Sequence, residues 1–167
     1  MSSTEPGEIV ATNEARMKVK NCQKYRITLK NRKIASVEMG GQKVRSFTKP
    51  DTENKLPKLY VVKSRSEVIY VGVTSQSIRR RLKYGLEAQG KGGYYGYRWK
   101  DLSEVEVLIW CFPEENLKHI EAVEAELVYL FRRRRGKWPE YQTEIHFHNS
   151  SEDEIKAAEA TFKESYE

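Results

Sequence analysis

Tyr60, Tyr70, Arg80, Tyr84 and Glu124 are the side chains whose types and spacing point to chemistry. Tyr70 stands ten residues after Tyr60, and Arg80 ten after Tyr70. Hydrolysis of a phosphodiester needs an activated water, charge stabilisation on the phosphoryl oxygens and help for the leaving oxygen. Arginine gives a phosphate two parallel hydrogen bonds, which suits Arg80 to the second task. Tyrosine hydroxyls orient water, or take its proton when a nearby cation lowers their pKa. One Mg²⁺ (or Mn²⁺) held by a single carboxylate and mostly by water suits the third task. Each tyrosine taken alone reads as a core aromatic with a satisfied hydroxyl; only the joint spacing with Arg80 and Glu124 favours a site.

The elements around these residues must bring them together. Leu59, Val61 and Val62, then Val68, Ile69, Val71 and Val73, are dense in β-branched and apolar residues and predict two strands. The polar residues 63–67 between them have hairpin-loop length. Thr74 or Ser75 is expected to cap a helix over about 76–84. In that helix Ile78 and Leu82 make the buried stripe, while Arg80 and Tyr84 share a nearly opposite face. Alternation over 105–111 predicts a third strand, partly apolar on both faces. A helix over 117–133, capped by Asn116, carries Ile120, Val123, Leu127, Leu130 and Phe131 as its apolar stripe. Glu124 projects nearer that stripe than Glu126 or Glu121 does. A carboxylate there must be compensated. A half-buried salt bridge and a metal ligand at a cleft floor both satisfy that requirement.

The triplets Lys58-Leu59-Tyr60 and Tyr70-Val71-Gly72, followed by Arg80 and then by Val123-Glu124-Ala125-Glu126-Leu127-Val128, resemble the signature of the GIY-YIG nucleases. The second triplet matches well; the first has KLY in place of GIY. The resemblance covers residues 57–149 and implies a small α/β (α+β) fold, a three-stranded antiparallel sheet flanked by helices, that cuts DNA with one divalent metal. It implies that Tyr60 assists the water with Tyr70 beside it, that Arg80 stabilises the phosphate and that Glu124 binds the metal. Tyr84 takes the place of the commoner histidine, and Asn149 resembles an asparagine that many members place near the site after the glutamate helix.

Charge and composition fit a polyanionic partner without requiring one. The 167 residues carry 30 Lys+Arg against 24 Asp+Glu, a formal net charge of +6. Seven bases and one acid fall in residues 75–100, next to the candidate site. Arg79, Arg81, Lys83, Lys91, Arg98 and Lys100 are therefore candidate nucleic-acid contacts. They flank a loop over 85–97 whose glycines and tyrosines can follow a phosphate backbone or close over the core. A non-catalytic nucleic-acid-binding module would use the same helix and loop. A histidine metal site on His146, His148 and His119 lacks a clear third and fourth ligand. Cys22 and Cys111 are too few for a disulfide framework. No apolar run has transmembrane length, and residues 1–15 lack a signal-peptide core, so a cytoplasmic protein is expected. The organisation expected is a loose tail over 1–18, a β-hairpin appendage over 19–49, a linker over 50–56, the nuclease-like domain over 57–149 and a terminal helix over 150–167. An extension of the core sheet is favoured for the hairpin over a DNA-reading module.

Overall fold

A computed structural model of the chain describes residues 21–143, 145 and 150–166. Among them six strands form one antiparallel sheet: β1 (Gln23–Lys30), β2 (Lys33–Met39), β3 (Gln42–Val44), β4 (Lys58–Ser64), β5 (Glu67–Thr74) and β6 (Glu104–Cys111). Their order across the sheet is β3-β2-β1-β6-β4-β5. Three helices, α1 (Ile78–Glu87), α2 (Leu117–Arg135) and α3 (Glu152–Ser165), complete the described fold. The class is α+β, but the expected three-stranded sheet is wrong: six strands form it. The N-terminal strands belong to the same sheet.

The cause lies in β6. One of its faces carries Val105, Val107, Ile109 and Cys111, the other Leu108 and Trp110, and all are buried. A strand apolar on both faces belongs in the middle of a sheet, with neighbours along both edges. On one side β4 supplies them, pairing Tyr60 with Ile109 and Val62 with Val107. On the other β1 does, pairing Tyr25 with Val107 and Ile27 with Val105. Tyr25, Ile27 and Leu29 alternate with polar residues, so register with β6 puts all three into one core.

The sheet has a core on each face. On the first, Tyr60, Val62 and Ile109 meet Ile78, Leu82 and Leu86 of α1, closed over by Phe47, Tyr97 and Trp99. On the second, Leu59, Val61, Val71 and Trp110 meet Ile120, Val123 and Leu127 of α2, and α3 adds Ala158. Helix α3 is held to the sheet by the Trp110 indole, which donates to Glu164 Oε1 at 2.9 Å, and to α2 by Phe162 against Phe131 at 5.0 Å. Its start is a capping box of Ser151 and Glu154.

Three local features set the site geometry. Helix α1 is capped by Ser77, whose hydroxyl accepts from the Arg80 N–H, rather than by Thr74 or Ser75; the Thr74 hydroxyl instead accepts from the Gln76 N–H. Strand β5 pairs Val62 with Tyr70 and Lys63 with Val68, which leaves Ile69 as an extra residue. Such a bulge re-aims the side chains beside it, and Ile69 and Tyr70 accordingly join the same core. The outer edge of β5 is covered by residues after α2: the Tyr141 N–H donates to Ile69 O at 2.8 Å, and the Gln142 side chain bonds both the N–H and the carbonyl of Val71 at 2.9 and 3.0 Å.

Candidate active site

Tyr60 comes from β4 and is fully buried, its ring lying flat across Gly72 of the neighbouring strand. A Cβ at position 72 would fall 2.5 Å from that ring, so only glycine leaves room for it. The glycine of the Tyr70-Val71-Gly72 triplet thereby acts through packing. Tyr97, from the loop after α1, lies in the same way over Gly85, where a Cβ would stand 2.2 Å from its ring. The two hydroxyls meet at 2.7 Å. Tyr70 packs edge-on to Tyr97 with ring centroids 5.2 Å apart and lies 6.1 Å from Tyr60.

Arg81, not Arg80, is the arginine of this cluster. Its guanidinium sits 4.9 Å from the centre of the Tyr97 ring and donates to the Tyr94 hydroxyl at 3.2 Å. Burial disfavours its charged form, but Tyr60, Tyr97 and Tyr94 together outweigh that, so its pKa is held above the ordinary arginine value. Glu124, half-buried on α2, borders the same space and acts electrostatically on both Tyr60 and Tyr70. Tyr70, Arg81, Tyr94, Tyr97, Glu124 and Gln142 thus line one polar cleft of about 170 Å³, with Arg98 at its rim.

The tyrosines stay protonated there. Burial pushes Tyr60 and Tyr97 well above the usual phenol range, and Tyr70 likewise, against the opposing influence of Arg81. Their hydroxyls are therefore hydrogen-bonding and orienting groups rather than bases in this environment.

The other predicted residues fall elsewhere. Arg80 and Tyr84 do share a face, but it looks away from the cleft into an outer groove that also holds Lys83 and Lys91. Tyr84 is 60% exposed and stacks on Tyr94. Arg79 donates to the Ser46 hydroxyl at 3.1 Å and covers the Phe47 ring, so it ties the N-terminal strands to α1. Lys100 bonds the carbonyls of Tyr95 and Ala88, fixing the loop between α1 and β6. Asn149, His146 and His148 lie outside the described residues. His119 is exposed at the start of α2, 3.5 Å from Glu115.

Sequence reasoning singled out neither Tyr94 nor Tyr97, and gave Arg81 only a general nucleic-acid role. A signal for Arg81 existed. At about 100° per residue it borders the Ile78–Leu82–Leu86 stripe, whereas Arg80 points almost directly away from it. For the tyrosines the only cue was their density in the loop.

Among the described residues no group of three or more His, Cys, Asp or Glu side chains gathers to hold a metal. A single carboxylate in a polar cleft fits a Mg²⁺ ion that keeps most of its waters and takes further oxygens from a phosphate, and Glu124 would be that ligand. The donor set does not fit a structural zinc, which requires four protein ligands. No described helix is long and apolar enough to cross a membrane. Comparison of the chain with family models, with curated proteins and with solved structures finds no match in any of the three.

Proposed function

We propose that the chain is a metal-dependent endonuclease that hydrolyses DNA phosphodiester bonds in the cleft between β5, α1 and α2. The observation that carries this reading is the convergence of Tyr70, Arg81 and Glu124 on one polar cavity, drawn from three different elements. A half-buried arginine and a half-buried carboxylate that line one polar cavity suit a phosphate held between them through a cation.

In this reading Arg81 takes the position that the sequence assigned to Arg80. Its guanidinium binds the non-bridging oxygens of the scissile phosphate and stabilises the charge that grows on them. Tyr97 and Tyr94 hold the guanidinium in place from its face and its end. Mg²⁺ or Mn²⁺ on Glu124, when bound, supplies Lewis-acid stabilisation of the departing oxygen. Tyr70, at the cleft wall, orients the attacking water by hydrogen bonding. Tyr60 is a positioning residue: it is buried, and its hydroxyl is engaged with Tyr97.

The test is incubation of the purified protein with supercoiled plasmid and Mg²⁺, beside Arg81→Ala and Glu124→Gln, with products resolved on a gel. Nicked or linear product from the wild type, lost in both variants and in EDTA, supports the reading. DNA binding without cleavage in all three, across plasmid and genomic substrates, would leave a non-catalytic binding module in its place.

A further inference from the structure

The outer groove beside the cleft has properties that cleavage of a phosphate does not require. It measures about 940 Å³ and is lined by Arg80, Lys83, Tyr84, Lys91 and Tyr94, with Gln76 and Gln89 at its ends. Three of these carry positive charge. The acid of the groove, Glu87, is already paired with Lys33 at 3.5 Å.

Tyr84 is the unusual member. A tyrosine ring 60% exposed on a helix gains little from burial, yet this one is held flat against Tyr94, with centroids 4.8 Å apart and planes within 9°. Tyr94 is fixed in turn by its bond from Arg81. The stack therefore presents a rigid aromatic surface in a cationic groove, a combination that receives a nucleobase while lysine and arginine take the neighbouring phosphates.

Tyr94 also lines the catalytic cleft, so the two spaces share one wall. A strand whose phosphate reaches Arg81 has its neighbouring nucleotide at the groove. A base still paired in a duplex cannot lay its face on Tyr84, because both its faces are covered by its stacked neighbours.

We infer that the groove is a subsite for an unpaired nucleotide beside the scissile phosphate, with its base stacked on Tyr84. The protein is accordingly selective for DNA with a local unpaired base. This rests on the proposed nuclease reading of the adjoining cleft. In it Tyr84 acts through its ring face, not as the acid–base hydroxyl that its helix position suggests by resemblance.

The experiment measures binding in EDTA, so that cleavage does not interfere. Two duplexes of equal length are used, one fully paired and one with a single bulged 2-aminopurine whose fluorescence is quenched on stacking. The wild type is expected to prefer the bulged duplex roughly ten-fold and to quench its fluorophore. Tyr84→Ala should abolish the preference and the quenching; Tyr84→Phe and Tyr84→Trp should keep both. Tyr95→Ala, a change at an equally exposed tyrosine outside the groove, should leave the preference intact. Equal affinity of the wild type for the two duplexes, or an undiminished preference in Tyr84→Ala, overturns the inference. Efficient Mg²⁺-dependent cutting of paired DNA without that preference sinks this inference and spares the nuclease reading. A bulge preference with no cutting of any DNA does the reverse.

Discussion

Two clusters of ionisable side chains differ in what surrounds them: one is enclosed by the fold, and the other borders a cavity. In the first, around Asp51 and Lys58, bonds within the protein engage every ionisable group. Lys58 is fully buried, and its ammonium donates to the carbonyls of Glu53, Leu56 and Gln76 at 2.5, 2.8 and 2.8 Å. Asp51 accepts from the Tyr25 hydroxyl at 2.6 Å and the Cys111 thiol at 3.3 Å, and its own carbonyl accepts from the first N–H of α1. In the second, around Arg81 and Glu124, the side chains face a cavity, and among the described residues Arg81 donates a single hydrogen bond. Acid, base and tyrosine occur in both. Closure makes the first a fastener that binds residues 47–58 to the sheet, and the cavity beside the second makes it a candidate for chemistry.

The contrast is sharpest in stability. Replacing Lys58 with Met strands three part-buried carbonyls around a buried side chain, and should cost about 3 kcal/mol; chemical denaturation measures it, and a loss below 1 kcal/mol would deny the cluster its fastening role. Gly72→Ala comes next, because its Cβ must displace the Tyr60 ring: a loss of about 1–3 kcal/mol is expected, together with weakened cleavage. Tyr60→Phe removes only the bond to Tyr97 and should cost about 1 kcal/mol, with activity reduced rather than abolished. An abolished activity in that variant would restore Tyr60 to a direct role in the chemistry.

The smallest effect depends on pH. Burial raises the Asp51 pKa above 3.8, with Tyr25, Cys111 and Lys58 opposing. The protonated form therefore suits the folded state better than the unfolded chain does. That contribution is complete below 3.8 and disappears as pH rises through the folded-state value. Relative to Asp51→Asn, the wild type should gain stability as pH falls towards 3.8. Denaturation midpoints of the two proteins between pH 3.5 and 7 measure this, and a wild type that loses stability relative to Asp51→Asn on acidification would contradict it.

Much of the local structure was legible in the sequence. Alternation gave β1 and β6, apolar density gave β4 and β5, and the apolar stripes gave α1 and α2 with Glu124 at the edge of a buried face. The extent of the sheet was not legible, because side-chain alternation shows which face of a strand is buried but not which strand lies along its edge. The double apolar character of 105–111 was the clue that β6 needed two neighbours, and it was read as completing a sheet of three. That Arg81 lines the cleft was not legible for a different reason. Counting ten residues from Tyr70 selected Arg80, while helix phase, the physical constraint, favours Arg81. Lys58 shows the same limit: a lysine in the first triplet reads as a departure from the nuclease pattern, and its cage of carbonyls comes from residues 53, 56 and 76, which sequence alone does not assemble.

The most direct test of the open cleft compares neighbouring arginines in one assay. Initial rates of Mg²⁺-dependent plasmid cleavage are measured for the wild type, Arg81→Ala and Arg80→Ala, with thermal unfolding as a check on folding. The geometry predicts a loss of roughly 100-fold or more for Arg81→Ala, and only a few-fold loss for Arg80→Ala through weakened substrate contact. Equal losses in both, or a larger one in Arg80→Ala, would contradict the assignment of the phosphate to the cleft between Arg81 and Glu124.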